Sequence, residues 1–329
     1  MIDRFGREIN YLRVSVTDRC NLRCVYCMPE EGISVMNHDD ILRYEEVLRV
    51  VRSSVGLGIV KVRVTGGEPL VRRGVIGFLS SLASLPGLKD LSLTTNGALL
   101  GSMADDIFDA GVRRINVSLD SLNSVKYTRI TRGGFLGDVL GGLERARRVG
   151  FSPIKINVVT IKGLNEDEII DFARLTIEQP YQVRFIELMP LGQAADEHES
   201  RYISNDEVHR RISRYFELEP LERKNKTDGP ARIYRLRNGT GEIGLIGSIS
   251  SHVCRSCNRL RLTADGRLRA CLFSESEIDL KRPLRNGCRD DELAGLIKGA
   301  VEEKPEGMDR PTGGGRPRRC MREMSSIGG

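Results

Sequence analysis

Over its first two thirds the chain alternates between two patterns. Short runs with strand character occur at 12–16, 60–64, 91–94, 115–119, 154–159 and 183–187. Stretches with helical spacing lie between them, among them 44–55, 103–110, 136–149 and 166–175. Asn165, ahead of Glu166-Asp167-Glu168, predicts an N-cap followed by acids in the first turn, where they face the positive end of the helix dipole. Strands alternating with helices imply a parallel sheet. Six such units are fewer than a full eight-fold barrel requires, so the expected fold is α/β, a partial (β/α)6 barrel.

Strands buried in a parallel sheet usually read as near-continuous apolar runs, and several here do not. In Ile154-Lys155-Ile156-Asn157-Val158-Val159, alternation puts Lys155 and Asn157 on one face. Asn116 and Ser118 share a face in the same way, as do Arg63 and Thr65. The apolar partners then face the helices, and the polar faces line the barrel interior. Such an interior is costly unless it binds something. Barrel active sites sit at the C-terminal ends of the strands, and the unusual loops follow strands: 17–28, 66–69, 95–97, Asp120 and 189–190. Beyond about residue 220 the alternation weakens. Possible strands at 232–237 and 243–246 suggest a smaller C-terminal lobe, giving a division into 1–220 and 221–329. The segment 304–319 is rich in Pro, Gly and Arg and reads as loop or tail.

Composition narrows the class. An apolar fraction of 40% and a charged fraction of 29% over 329 residues fit a soluble globular protein. No run of 18 apolar residues predicts a membrane span, and the first ten residues carry no apolar signal core, so a cytoplasmic location is expected. The net charge of +6 suits an anionic small ligand as well as nucleic acid. With 5% aromatics, no Trp and scattered basic residues, nucleic-acid binding is not expected. Eight cysteines are many for a reducing compartment, where disulfides are rare, and six of them fall in two spaced triplets, which points to metal.

Cys20, Cys24 and Cys27 form C-x3-C-x2-C directly after the first strand, with Tyr26 beside the last thiol. Three thiolates can ligate three irons of a 4Fe–4S cluster and leave the fourth open, since such clusters ordinarily take four cysteines. Zinc loops instead favour C-x2-C pairs with four ligands. Cys254, Cys257 and Cys271 form C-x2-C-x13-C. Here the spacing fits either zinc, with His252 as a fourth ligand, or a second cluster. Asn258-Arg259-Leu260-Arg261 follows, and in an extended strand Arg259 and Arg261 point the same way, an arrangement suited to a polyanion such as a triphosphate.

The C-x3-C-x2-C spacing with its aromatic, followed by Gly66-Gly67-Glu68-Pro69 after the second strand, resembles the radical S-adenosylmethionine (SAM) superfamily. Within it the chain resembles the GTP 3′,8-cyclase family of molybdenum cofactor biosynthesis at 12–20, 65–70, 93–97, 114–120, 184–190, 254–262 and the terminal Gly328-Gly329. That resemblance implies two 4Fe–4S clusters, on Cys20, Cys24 and Cys27 and on Cys254, Cys257 and Cys271. It implies SAM contacts from Tyr26, Gly67, Ser118 and Met189. It implies GTP contacts from Arg13, Arg63, Thr94, Lys155, Arg259, Leu260 and Arg261, and a direct part in the reaction for Arg13, Gly328 and Gly329. The reaction implied is cleavage of SAM by the first cluster, abstraction of the ribose 3′ hydrogen of GTP and ring closure onto C8 of guanine. An external electron donor and a downstream cyclic pyranopterin monophosphate synthase are the implied partners, and the chain is expected as a monomer or homodimer. Cys288 and Cys320 match no ligand position and are expected to be ordinary thiols.

Overall fold

The computed structural model describes residues 1–192, 194–222, 229–250, 253–307 and 324–328. Six strands, β1 (Tyr11–Ser15), β2 (Lys61–Thr65), β3 (Asp90–Thr95), β4 (Arg114–Ser118), β5 (Ile154–Thr160) and β6 (Gln182–Glu187), lie side by side in parallel, each where the sequence predicts one. Helices α1 (Tyr44–Gly56), α2 (Val75–Ala83), α3 (Leu100–Asp109), α4 (Ser124–Thr131), α5 (Leu136–Val149) and α6 (Ile169–Glu178) fill the crossovers. Helix α5 ends where the sequence places it because Gly150, at φ 105, takes the left-handed position that closes the last turn.

The N-cap expected of Asn165 takes another form. Glu166–Glu168 is a 3-10 turn leading into α6, and the Asn165 side chain makes no cap. It accepts from the Ile161 N–H at 2.8 Å and donates to the carbonyls of Asp120 (2.7 Å) and Val159 (2.9 Å). An amide with both donors and an acceptor can tie the ends of β4 and β5 together, and that use prevails over capping.

The rest of the described chain extends this sheet at both edges. After α7 (Ala194–Arg201) and α8 (Asn205–Ser213) come β7 (Leu218–Leu221), β8 (Arg232–Leu236) and β9 (Glu242–Ile246). Strand β9 pairs in parallel with β6. Strand β10 (Arg259–Leu262) pairs in parallel with β1, and β11 (Arg267–Arg269) and β12 (Ile278–Asp279) continue antiparallel. The order is β12-β11-β10-β1-β2-β3-β4-β5-β6-β9-β8-β7. Eight parallel strands, β10, β1 to β6 and β9, therefore form the centre, and the sheet stays open, with no pairing between β10 and β9 among the described residues. Helices α9 (Lys281–Arg285), α10 (Asp290–Glu302) and α11 (Met324–Ile327) complete the described chain.

The two faces of the sheet separate as the alternation predicts. Leu12, Val14, Val62, Val64, Leu93, Ile115, Val117, Ile156, Val158, Val183, Phe185 and Leu260 are all buried in one apolar core shared with the helices. The opposite face carries Arg261, Arg13, Arg63 and Ser92 in one cross-strand row, and Thr94, Asn116, Lys155 and Gln182 in another.

Candidate active site

The loop after β1 carries the first triplet. Within it the N–H groups of Cys27 and Met28 donate to the Cys24 carbonyl at 2.9 and 3.3 Å, and the Leu22 N–H points at Cys20 Sγ at 3.4 Å. The Gly66-Gly67-Glu68 turn after β2 packs directly on this loop: Gly67 N–H donates to Thr17 O (2.7 Å) and Glu68 N–H to Arg19 O (2.8 Å). A Cβ at Gly67 would stand 2.4 Å from Arg19 O, and one at Gly66 2.7 Å from Thr17 O. The glycine pair is thus required by the backbone of the cysteine loop itself, a tighter constraint than the SAM contact that the resemblance implies for Gly67.

Glu68, fully buried, fastens three loops. Its carboxylate accepts from Leu70 N–H (3.0 Å), Thr95 O–H (2.8 Å) and Asn96 N–H (2.6 Å). Asn96 in turn donates to Asn21 Oδ1 at 2.8 Å and approaches Cys20 Sγ at 3.8 Å. Burial raises the Glu68 pKa to about 7 against the pull of these bonds. Sequence reading passed over Glu68 and Asn96 as site builders. The available signal was a carboxylate set between two glycines and a proline, where it can turn back on its own loop.

Tyr26 donates to Asp120 Oδ2 at 2.6 Å, and Asp120 Oδ1 accepts from Val159 N–H at 2.8 Å. Burial lifts Asp120 to about 6. Burial also raises the Cys20 thiol, with Glu68 adding to it, and raises Cys24 well above its usual value, with Cys27, Asp120 and Cys20 adding repulsion. Three half-buried thiols set so closely that Cys20 and Cys27 oppose the ionisation of Cys24 suit a positively charged metal group, which ionises them on binding. All the described cysteines are free thiols.

The polar face below these loops is strongly cationic. Lys61 and Arg114 share Asp90 at 3.0 and 2.8 Å. Arg184, 6% exposed, donates to Asn157 Oδ1 (2.9 Å from Nε) and to Asn116 Oδ1 (2.6 Å from Nη2). Burial, then Arg63, brings its pKa down to about 9. Burial, then Arg184, Arg114, Arg63 and Lys61, brings Lys155 to about 6. Burial and Arg261 push Arg13 well down. Lys61, Arg63, Ser92, Arg114, Asn116 and Lys155 line a small pocket here. Thr94 Oγ1 is buried on the same face with no hydrogen-bond partner among the described residues. Ser118 sits in the row of Asn157 and Arg184, toward the loop end. Leu260 faces the opposite way, into the core, so it can offer a ligand only its backbone.

The second triplet closes the other side. Cys257 N–H donates to Cys254 O at 3.0 Å in a 3-10 turn, Val253–Ser256. Burial raises the Cys257 thiol, but Arg259, which hydrogen-bonds it, and Lys304 overcome that and hold it at about 6. Among the described residues no three His, Cys, Asp or Glu side chains lie close enough to hold a single metal ion. His252, the alternative zinc ligand, lies outside the described residues. The preceding loop is anchored by Glu187, fully buried, which accepts from Asn205 N–H (2.9 Å), Ile249 N–H (2.8 Å) and Ser250 N–H (2.9 Å).

The end of the chain enters this space. Ile327, 1% exposed, packs with Leu191, Met189, Leu272, Phe273 and Met324. Arg261 donates to Gly328 O at 3.0 Å. Gly328 adopts φ +83, and a Cβ there would lie 2.8 Å from Ser15 Cβ and 3.0 Å from Thr65 Cγ2. Gly329 and Cys320 lie outside the described residues. The structure therefore gathers Arg13, Arg63, Thr94, Lys155, Arg259, Arg261, Ser118 and Gly328 on one face and sets the first triplet, Tyr26 and Gly67 at its rim.

Residues 14–176 match the Radical SAM superfamily, and residues 181–310 match the family described as Molybdenum Cofactor Synthesis C. Among solved structures the chain is similar to Streptococcus suis SuiB bound to precursor peptide SuiA, with a TM-score of 0.61, 14% identity, and 89% of this chain and 67% of that one covered, a likeness of fold. It is 47% identical to a GTP 3′,8-cyclase of Thermodesulfovibrio yellowstonii and 50% identical to one of Pelotomaculum thermopropionicum, each match covering 100% of both chains. The chain belongs to the GTP 3′,8-cyclase family, within the radical SAM superfamily.

Proposed function

We propose that this enzyme converts GTP to (8S)-3′,8-cyclo-7,8-dihydroguanosine 5′-triphosphate, the first step of molybdenum cofactor biosynthesis. The observation that carries this reading is the cationic face of buried Arg184 and Arg261 and half-buried Arg13, Arg63 and Lys155, set beside two cysteine triplets. A triphosphate supplies the negative charge that such a face lacks. Cys20, Cys24 and Cys27 would hold the 4Fe–4S cluster that the superfamily uses, and Cys254, Cys257 and Cys271 a second one. The bound cluster supplies an electron and SAM the hydrogen-abstracting group.

The chain's own residues do the rest. Tyr26, fixed by Asp120, and Gly67, Ser118 and Met189 flank the SAM side. Arg13, Arg63, Lys155, Arg259 and Arg261 hold phosphate, Thr94 offers its unused hydroxyl, and the backbone of Leu260 is the only part of that residue facing the ligand. The tail, with Ile327 packed and Gly328 against Ser15, excludes water from the reacting end. No helix of the described residues is long and apolar enough to cross a membrane. The reaction needs an external electron donor, and its product passes to a downstream cyclic pyranopterin monophosphate synthase.

The test uses anaerobically reconstituted enzyme with reductant, SAM and GTP deuterated at C3′. The expected result is cyclised nucleotide and deuterium in 5′-deoxyadenosine. Label retained wholly in the nucleotide would overturn the reading.

Lys155 gives a second expectation. With its pKa near 6 it is mostly neutral at pH 7, and a bound triphosphate favours the charged form. GTP binding should therefore take up a proton, and affinity should fall as pH rises from 6 to 8. Calorimetry in buffers of different ionisation enthalpy reads this uptake. K155M should abolish it and weaken GTP by about ten- to a hundred-fold, the cost of one charged hydrogen bond, while guanosine binding changes little. Proton uptake unchanged in K155M would remove Lys155 from the phosphate site.

A further inference from the structure

Lys304 follows helix α10 and is 1% exposed, one of the largest fully buried side chains in the protein. Its ammonium donates to the carbonyl of Arg259 at 2.9 Å and to that of Ala270. Those two residues adjoin the second triplet: Arg259 lies two residues after Cys257, and Ala270 immediately before Cys271. Among the described residues no carboxylate pairs with this ammonium, although 24 ion pairs form elsewhere. A buried cation held only by neutral carbonyls is costly unless an anion stands near. The two carbonyls that hold the Lys304 ammonium belong to the residues that carry the chain into and out of the second triplet, beside the Cys257 and Cys271 thiols.

The neighbouring chain follows the same plan. Arg7 donates to Cys254 O (2.8 Å), Glu306 O (2.8 Å) and Pro305 O (2.6 Å), so the N-terminus clasps both the triplet and the segment after Lys304. Arg7 is already neutralised by Asp3 at 2.6 Å. Gly307 brings that segment to 3.6 Å from Cys254 Cβ, the distance a Cβ on it would have. Lys304 thus stands beside Arg259, which bonds Cys257 directly, as a second, buried cation in the wrap around the three thiols.

We propose that Lys304 is an internal counter-cation of the metal–thiolate group on Cys254, Cys257 and Cys271, acting with Arg259 to set its reduction potential and holding the spacing of its ligands. The inference rests on the second-cluster reading given above. Three thiolates on a 4Fe–4S core leave it anionic, and one more electron makes it more so. A fixed positive charge nearby favours the reduced state and raises the potential. Lys304 is a positioning residue, acting through the ligands and the local field.

The experiment is a redox titration of the anaerobic holoenzyme followed by electron paramagnetic resonance, with Cys20/Cys24/Cys27→Ala and Cys254/Cys257/Cys271→Ala proteins assigning the two signals. K304M keeps an unbranched apolar stem one atom shorter and removes the charge. The expected result is a lower midpoint for the second cluster alone, with the first unshifted as an internal control and K304R returning the midpoint toward wild type. A midpoint unchanged in K304M, with iron retained or partly lost, would overturn the inference and leave Lys304 a packing residue. If K304M cannot be loaded, K304R decides: a loaded K304R with the wild-type midpoint supports the counter-cation, and a K304R that also fails to load overturns it. Wild-type enzyme with iron at the first triplet alone would overturn the second-cluster reading itself and the inference with it, a result visible before any Lys304 variant is made.

Discussion

Changing Cys20, Cys24 and Cys27 together to alanine is expected to lower the iron content from about eight to about four per chain, the content of two 4Fe–4S clusters and of one, and to end 5′-deoxyadenosine formation. The reason lies in how the loop is built. Burial raises the Cys20 and Cys24 thiols, and the charges of Cys27, Asp120 and Cys20 raise Cys24 further, so the N–H bonds that reach Cys20 are outweighed. The second triplet differs, because Arg259 and Lys304 already favour the Cys257 thiolate, and it should keep its iron when the first is lost. The loop's frame should also survive, since its links to Gly67 and Glu68 run through backbone groups. Iron and sulfide analysis with detection of 5′-deoxyadenosine checks this. Continued SAM cleavage by the variant would remove these cysteines from the first cluster.

Much of this architecture is legible in the sequence because period-two alternation survives in the strands. Lys155-Ile156-Asn157 states both faces at once: Ile156 lies in the core, while Lys155 and Asn157 meet Arg184 and its neighbours. Arg259 and Arg261 read equally well, since extended backbone puts them on one side, and the register with Tyr11 and Arg13 confirms it. What escaped is long-range. That β10 would join β1, with Arg13 and Arg261 248 residues apart in the chain but paired in the sheet, depends on the closing of the fold and leaves no local mark. The same holds for Glu187, whose partners are distant backbone N–H groups, and for Asn96, whose amide donates to Asn21 in the cysteine loop; neither pairing has a sequence signature. Asn165 shows the converse error, where a local cap signal was overridden by a tertiary bond network.

Shortening the chain by its last two glycines is expected to leave iron content and GTP affinity nearly intact and to lower cyclised product about a hundred-fold, the scale on which a small misplacement near reacting atoms slows catalysis. Tails rich in Arg, Gly and Pro are commonly dispensable, and composition alone would place this one among them. The described end of the chain argues otherwise. Ile327 is packed under Leu191 and Met189, and Gly328 lies against Ser15 and Thr65, the last residues of β1 and β2. Those positions are at the C-terminal ends of the strands, beside the first cysteine loop. The carbonyl of Gly328 also engages Arg261, which ties the tail to a residue proposed to hold phosphate. Only glycine fits there: φ is +83, a region that costs other residues roughly 1–2 kcal/mol. A Cβ would also meet Ser15 Cβ at 2.8 Å. Gly328→Val should therefore reproduce the truncation in single-turnover assays, through steric exclusion of the tail, while Ile327→Ala should have a smaller effect by loosening its anchor. Wild-type product formation by the truncated enzyme would show that the inserted tail is only a plug.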